Sequence, residues 1–131
     1  MLESAIKSRL EDYSALTQTL ATTTSIWAVL APDDAAKPFI TYEVVTDSPT
    51  IAMSADCVPS ESLVIINIFA DTFLEIANTF AQLRTCLDRY TGAEGGVTVQ
   101  ATFYEGRNDN FDLTDRDYQR TCNFRIFYED T

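Results

Sequence analysis

Four aspartates lie close together near the end of the chain, and their spacing is the first pattern that could support chemistry. They are Asp109, Asp112, Asp115 and Asp117, in and beside the polar run Gly106–Arg116. A calcium-binding loop places oxygen ligands at alternate positions around a central glycine and ends in a bidentate glutamate. This run has neither that glycine nor that spacing. It therefore predicts a solvated turn first and a loop facing a partner second.

Other common catalytic patterns are missing from the sequence. The chain has no histidine, which removes the Ser-His-Asp and Cys-His arrangements and the commonest metal ligand. Gly95 and Gly96 predict a turn rather than a phosphate cradle, because no helix start follows them. A carboxylate pair for glycoside hydrolysis needs a cleft, which the sequence does not reveal. We therefore expect no enzyme activity, no cofactor and no metal.

The bulk composition indicates one folded domain over residues 1–131. Hydrophobic residues make up 46% and charged residues 22%, which is ordinary globular usage. With 9 basic and 20 acidic residues the net charge is −11, which disfavours a surface that grips nucleic acid or an anionic membrane. The charge has two interpretations: simple solubility, or an acidic surface that repels nucleic acid close to it.

The cysteines and the chain start carry information about the compartment. Cys57, Cys86 and Cys122 are odd in number and form no C-x-x-C pair, so they predict neither a disulfide framework nor a zinc site. A reducing compartment fits this usage. Residues Met1–Leu10 do not read as a signal peptide. No apolar run approaches the ~20 residues of a membrane helix.

The segment Glu61–Tyr90 is the strongest secondary-structure signal. Leu63–Ala70 is almost entirely apolar and rich in β-branched residues, which is typical of a strand covered on both faces. Thr72 and Glu75 have the spacing of a capping box. The helix that follows has its apolar residues at three- and four-residue steps as far as Tyr90, and Gly92 is predicted to end it.

The segments before it predict one more helix and two strands. Leu2–Thr19 has the stripe of an amphipathic helix. Ile26–Leu30 and Phe39–Thr46 are predicted as strands, and the short connection between them favours an antiparallel pair. The longer connection Asp47–Ser60 is either a flexible flap or an extended hairpin arm.

Two more strands close the chain. Val97–Tyr104 alternates, with Val97, Val99, Ala101 and Phe103 predicted on the buried side. After the polar run, the final strand from Tyr118 has Arg120 on its apolar face and Phe127 on its polar face, which fits a partly exposed sheet or a subunit contact. The aromatic residues predicted to be exposed are Phe69, Tyr104, Phe111 and Phe127.

The resulting order is α-β-β-β-α-β-β. Apolar faces on helices and strands must be buried against one another in layers. We therefore predict an α+β fold in which two helices pack on one face of a mostly antiparallel five-stranded sheet.

Three segments, taken together, resemble the tail-terminator (tail-completion) family of long-tailed bacteriophages. Ala31–Tyr42 is similar to the family's strand, proline-bearing turn and following strand. Ile65–Leu87 is similar to its strand that ends in an aromatic and a small residue, followed by Asp-Thr-aromatic and a helix. Asp117–Tyr128 is similar to its closing strand, although Asn123 stands where the family often has Asp. The residues that carry the likeness are Asp71, Thr72, Phe73, Ala77, Leu87, Arg120, Phe124 and Ile126.

The resemblance implies a structural virion protein rather than an enzyme. Members of that family form a ring, usually hexameric, at the head-proximal end of the tail tube. The ring stops tube polymerisation and joins the tail to the head's connector or stopper protein, and DNA passes through its lumen without specific binding. The implied location is the virion, after assembly in the host cytoplasm, with no membrane involved.

Two connecting segments are the expected contacts with the tube or the connector. They are Asp47–Ser60 and Gly106–Asp117. Two other readings stay open: a head-closure or minor tail protein, and a small acidic enzyme or ligand-binding domain. The contact residues expected in the two segments are Asp47, Ile51, Met53, Asp56, Arg107, Asp109, Phe111, Asp112 and Asp115.

Overall fold

The fold is a six-stranded mixed sheet with helices on one face. The computed structural model describes residues 2–22, 25–32, 35–48, 60–94, 96–113 and 117–130. Its strand order is β1-β2-β3-β6-β5-β4, so the predicted α+β class is right. In chain order the elements are α1 (Leu2–Asp12), α2 (Ser14–Thr17), β1 (Ile26–Ala28), β2 (Phe39–Ser48), β3 (Ser60–Ala70), α3 (Phe73–Leu87), β4 (Gly92–Glu94), β5 (Val97–Asp112) and β6 (Asp117–Asp130).

The predicted counts of two helices and five strands were wrong. The first helix breaks at Tyr13, whose backbone is extended (φ −89°, ψ 95°), and restarts as α2. The apolar stripe does not reveal this break, because Leu10 and Leu16 on either side of it are both fully buried. The extra strand is β4, which has only three residues and begins with a glycine, too few to produce a period.

The start of α3 was predicted correctly and its end was not. Thr72 is the N-cap: its Oγ1 accepts a hydrogen bond from Glu75 N at 3.2 Å and donates one to Glu75 Oε1 at 3.0 Å. The helix ends at Leu87 rather than at Gly92. Arg89 takes the left-handed conformation (φ 62°), and its N–H donates to Thr102 O at 2.7 Å. The chain therefore leaves the helix after Leu87, because the backbone of Arg89 is hydrogen-bonded to β5 instead of continuing the helix.

Strands β1 and β2 are parallel, whereas the sequence favoured an antiparallel pair. Ile26 pairs with Ile40, and Ala28 pairs with Tyr42. A parallel connection usually needs a long crossover. Here β1 has only three residues, so the chain has to return only ~10 Å to start β2 beside it, at about 3.3 Å per residue. The remaining strand pairs are antiparallel.

Strand β3 is covered on one face, not on both as predicted. Its burial alternates along the whole strand: Val64 and Ile66 are fully buried, while Leu63 and Ile65 are only partly covered. The helices lie on the first of these faces. The second face retains apolar side chains that no described helix covers.

Strand β5 carries two β-bulges that change which side chains face the core. The pairing with β6 shifts between Val99 and Ala101 and again between Tyr104 and Gly106. As a result Thr102 is buried and Phe103 is 49% exposed, which reverses the predicted faces beyond Val99. A bulge adds one residue to one strand, and this turns every later side chain over.

The core lies between the helices and the inner face of the sheet. Arg120, Phe124 and Ile126 of β6 face inward as predicted. The largest fully buried apolar side chains of the described residues are Phe124, Leu10, Leu16, Ile26, Ile40, Ile66, Ile68, Ile76, Leu83, Val64 and Val97.

The cap at Thr72 gives a test of this fold. Thr72→Ala removes the acceptor for Glu75 N, and we expect the free energy of unfolding to fall by about 1 kcal/mol, the usual cost of losing an N-cap. Asn78→Ala, at an exposed position of the same helix, is the matched control and should not destabilise. Urea unfolding followed by circular dichroism measures both. Equal stability of T72A and the wild type would contradict this role of the cap.

Candidate functional site

The face of the sheet opposite the helices, which we call the open face, has a partly exposed apolar centre. It is formed by outward side chains of β2, β3, β6 and β5, including Leu63, Ile65, Phe103 and Phe127. The rings of Phe103 and Phe127 meet edge to face, with centroids 6.0 Å apart. Exposed apolar area of this kind is a frequent mark of a protein contact.

Polar groups on the open face are held in two networks. Asn67 Oδ1 accepts hydrogen bonds from Thr121 Oγ1 at 2.8 Å and from Gln119 Nε2 at 3.3 Å. Farther along, Arg125 bonds both Glu61 and Glu105. The hydrogen bonds that Arg125 donates to Glu105 and to Glu61 raise the pKa of its guanidinium. These contacts within the chain therefore fix the orientation of the Asn67 and Arg125 side chains.

The segment predicted as a loop at Gly106–Asp117 is mostly a paired hairpin, which we call the arm. It consists of β5 residues 105–112 and the β6 residues that pair with them, from Asp117 to Asn123. Most of its β5 strand is exposed. Both faces of such a strand meet water, so its sequence does not alternate between apolar and polar residues. The sequence therefore predicted a loop here.

An ion pair with a buried arginine fixes the arm to the body. Arg120 Nε donates to Asp109 Oδ1 at 2.6 Å, and Nη2 donates to Oδ2 at 3.2 Å. The Arg120 side chain is 3% exposed and that of Asp109 is 47% exposed. The guanidinium also lies over the rings of Phe73 and Phe80, at 5.4 and 4.9 Å from their centroids. The hydrogen bond from Arg120 holds the pKa of Asp109 below its usual range.

An aromatic groove lies between the arm and the first turn of α3. Phe111 and Tyr118 meet with centroids 4.8 Å apart, and Tyr118 meets Phe73 at 6.2 Å. The groove has a volume of about 430 Å³ and is also lined by Ile76. Leu113, at the end of the arm, is 77% exposed.

A second groove lies across the sheet, beside the connection from β1 to β2. It has a volume of about 570 Å³. Lys37 Nζ lies 3.2 Å from Asp117 and 3.6 Å from Asp71. Burial lowers the pKa of Lys37, but the two carboxylates outweigh that effect and raise it overall. Sequence reasoning missed this lysine because its partners are distant along the chain.

The predicted contact residues are only partly brought together. Arg107, Asp109, Phe111 and Asp112 share the arm, on β5 rather than in a loop. Asp47 belongs to β2 rather than to a connection. The structure does not describe Ile51, Met53, Asp56 or Asp115.

The aromatic predictions have mixed outcomes. Phe111 is exposed, as predicted. Tyr104 instead packs against Phe80 and Phe124, with centroids 5.7 and 5.6 Å apart. Phe69 stacks on Phe39 at 4.8 Å.

Cys86 and Cys122 are free and buried, as expected for small apolar side chains. Burial raises the pKa of the Cys86 thiol to about 11 and that of Cys122 to about 12. Both thiols therefore stay protonated and unreactive in the folded protein at neutral pH. Cys57 lies outside the described residues.

The described residues contain no group of three or more His, Cys, Asp or Glu side chains placed to hold a metal ion. None of their helices has both the length and the apolar character required to cross a membrane.

Comparison with known proteins gives a likeness of fold. No protein-family model matches the chain, and no curated protein matches it. Among solved structures, one chain from the virion of a native gene transfer agent (GTA) particle has a TM-score of 0.76 at 12% identity, covering 98% of this chain and 94% of that one. A second solved structure has a TM-score of 0.64 at 15% identity, covering 98% and 93%. The whole architecture, rather than one motif, is therefore shared.

The ion pair of the arm gives a second test. Asp109→Asn leaves the buried charge of Arg120 without its carboxylate. We expect the free energy of unfolding at pH 7 to fall by about 1–2 kcal/mol, less than for a fully buried pair because water reaches Asp109.

The pH dependence of that loss follows from the lowered pKa of Asp109. The stabilisation is fully present above the ordinary aspartate range of about 3.9 and is lost as the pH falls through the folded-state value. The difference between wild type and D109N should therefore shrink in acid. Asp12→Asn, at an exposed position of α1, is the control. A D109N difference that stays constant from pH 7 to pH 3 would refute this assignment.

Proposed function

We propose that this chain is a structural subunit of a phage-like virion, and specifically a tail terminator. In this role it forms a ring at the head-proximal end of the tail tube, stops tube polymerisation and joins the tail to the head. The observation that carries the proposal is the whole-length likeness to a chain of a GTA virion. The sequence resemblance to tail terminators, in segments spread over most of the chain, supports the finer role.

The surfaces of the molecule suit an assembly protein. A closed ring of identical subunits uses head-to-tail contacts, so each subunit needs two different patches. The open face and the arm are two such regions, and they differ in composition. Leu63, Ile65 and Phe127 give the open face an apolar centre, whereas the arm presents Arg107, Asp109 and Asp112.

The acidic charge suits a ring through which DNA passes. The net charge of −11 is repeated in every subunit, and like charge discourages the phosphate backbone from binding. We propose that the channel or its rim is acidic. Neutral or basic side chains along the channel of an assembled ring would contradict this part of the proposal.

Besides offering one of the two patches for the ring, the arm is the proposed contact with the tube or the connector. Its residues Arg107, Asp109, Phe111 and Asp112 are all exposed. The Asp109–Arg120 pair fixes the base of the arm, so its contact groups are presented in a defined position. Such preorganisation lowers the entropic cost of binding.

Deletion of the gene from the genome that carries it tests the proposed role. Electron microscopy of the resulting particles should show tails longer than wild type and unjoined to heads, because nothing stops the tube. A plasmid copy of the wild-type gene should restore normal length, and this is the control.

Other outcomes distinguish the alternatives. Tails of normal length that fail to join heads would contradict the terminator role and favour a head-closure protein. Particles that are unchanged by the deletion would contradict a virion role altogether.

A further inference from the structure

Exposed positive charge is scarce on this chain, which has nine lysines and arginines against 20 acidic residues. Lys37, Arg120 and Arg125 form ion pairs with carboxylates of the same chain. Arg9 donates two hydrogen bonds to the backbone oxygen of Cys86. Among the described residues, the basic side chains that are exposed are Lys7, Arg84, Arg89 and Arg107.

Two of these arginines lie close together where α3 meets β5. The guanidinium of Arg84 is 4.5 Å from the ring centroid of Tyr104, and that of Arg107 is 5.1 Å from the ring centroid of Phe80. The two rings are themselves 5.7 Å apart. We call Arg84 and Arg107 the basic patch. Aromatic rings attract guanidinium groups, so both charges are held in place on a common support.

A groove of about 570 Å³ lies beside the basic patch, along the outer side of α3. It is lined by Phe80, Ala81, Arg84, Thr85 and Asp88. Asp88 lies 3.7 Å from Arg84, one turn along the helix, and an exposed pair of this kind contributes little. The Asp109 carboxylate near Arg107 is bonded to Arg120 instead. The basic patch therefore retains positive charge that another molecule can reach.

The surface of α1 carries the opposite charge. Glu3, Lys7 and Glu11 are spaced by four residues, so they form one ridge of the helix, which we call the acidic ridge. Lys7 stands between the two carboxylates, and the ridge stays net negative. Burial, and then Glu11 and Glu3, raise the pKa of Tyr42 on β2, so both carboxylates lie on the β2 side of the molecule.

The basic patch and the acidic ridge lie on opposite sides of the helix layer. Arg9 and Cys86 mark where α1 and α3 meet, because Arg9 donates to Cys86 O at 3.0 Å and Cys86 Sγ donates to Arg9 O at 3.8 Å. A step of two residues turns a helix by ~200°. Glu11 is therefore turned away from α3, and Arg84 is turned away from α1. The sheet order agrees, since β3 and β6 separate β2 from β5.

We propose that the basic patch of one copy of this chain binds the acidic ridge of the next copy, so that charge complementarity across the helix layer joins neighbouring subunits. This inference deepens the proposed function and rests on it, since it names a contact that closes the ring. Two different surfaces meet, and such a heterologous contact can close by rotation. Arg107 belongs to the arm, so the contact extends a patch already proposed for the ring.

The charge of the chain favours a second copy as the occupant. Copies with a net charge of −11 repel one another, so a stable contact between them needs opposite charges where the surfaces meet. Phosphate groups also attract arginine, but nucleic-acid binding uses a surface of many clustered basic residues. Here Asp88 and Asp109 flank the two arginines, which disfavours DNA.

Charge reversal tests the contact. Arg84→Glu/Arg107→Glu makes both surfaces acidic, and Glu3→Lys/Glu11→Lys makes both basic. For each variant, we expect the concentration of half-assembly to rise by at least about tenfold, because like charges then face each other. Light scattering measures assembly of the protein alone and with the tail-tube protein encoded by the same genome, and circular dichroism checks that each variant is folded.

Mixing the two variants gives the sharper test. At every junction of an alternating ring, the reversed patch of R84E/R107E meets the reversed ridge of E3K/E11K, or an unchanged patch meets an unchanged ridge. Assembly should therefore return to within about threefold of the wild-type concentration dependence, since opposite charges again face each other. Native mass spectrometry should find the two variants in equal number in each ring. A variant that cannot fold would not be rescued by mixing.

Two controls separate the local contact from net charge. E3K/E11K makes the chain less negative, so relief of general repulsion alone predicts assembly better than wild type, whereas this contact predicts worse. Arg84→Gln/Arg107→Gln and Gln18→Glu/Asn78→Asp change the net charge equally, and Gln18 and Asn78 are exposed outside both surfaces. Only the first of these pairs of substitutions should weaken assembly.

The outcomes separate this inference from the proposed function. A ring that R84E/R107E forms as readily as the wild type would overturn the contact and leave the terminator proposal standing. Loss of DNA retention in that same variant would then assign the arginines to phosphate groups. Failure of the mixture of two folded variants to assemble would also overturn the contact. Mixed variants that join in an open-ended series would support the contact and contradict the ring. Absence of wild-type assembly, alone or with the tube protein, would overturn both.

Discussion

Backbone pairing along strand edges is the constraint on which the rest of this structure depends. Every strand carries hydrogen-bonding groups on two sides, and each group needs a protein partner or water. Strands β3 and β6 lie at the middle of the sheet and are paired on both sides for most of their length. Strands β2 and β5 are half covered, by β1 and β4 respectively. The short outer strands thus leave part of β2 and part of β5 without a described strand on the outer side.

The two faces of the sheet also differ, because the described helices cover only one of them. The inner face binds α1, α2 and α3 through the apolar core. At the end of that face, the buried Arg120 meets Asp109 and the rings of Phe73 and Phe80. This one cluster links the arm, β6 and α3. Because a buried arginine must be paired, the cluster ties the position of the arm to the folding of the core.

The parts of the fold that the sequence predicts are those governed by local periodicity and capping. The Thr72 cap, the inward side chains of β6 and the buried cysteines follow from spacing alone. The faces of β5 do not, because one added residue near Gln100 exchanges them. The cover of β3 does not either, because an apolar face has the same sequence pattern whether or not helices cover it.

The placement of the proposed contact residues was less predictable than the fold. Asp109 and Phe111 were singled out in a loop, yet they belong to a strand whose polar sequence lacks alternation because both its faces meet water. The left-handed backbone of Val29 (φ 64°) gives no signal in the sequence. Residues that act through backbone geometry or through unpaired edges are visible only once the strands have been placed.

The proposed ring is tested by the native mass of the purified chain across protein concentration, alone and with the tail-tube protein encoded by the same genome. If the chain closes into a ring of six, we expect one species near six times the 14.7 kDa chain, formed either at high concentration or on the tube, with no larger multiples. A mass that stays at one chain under both conditions would contradict the claim that this protein closes into a ring.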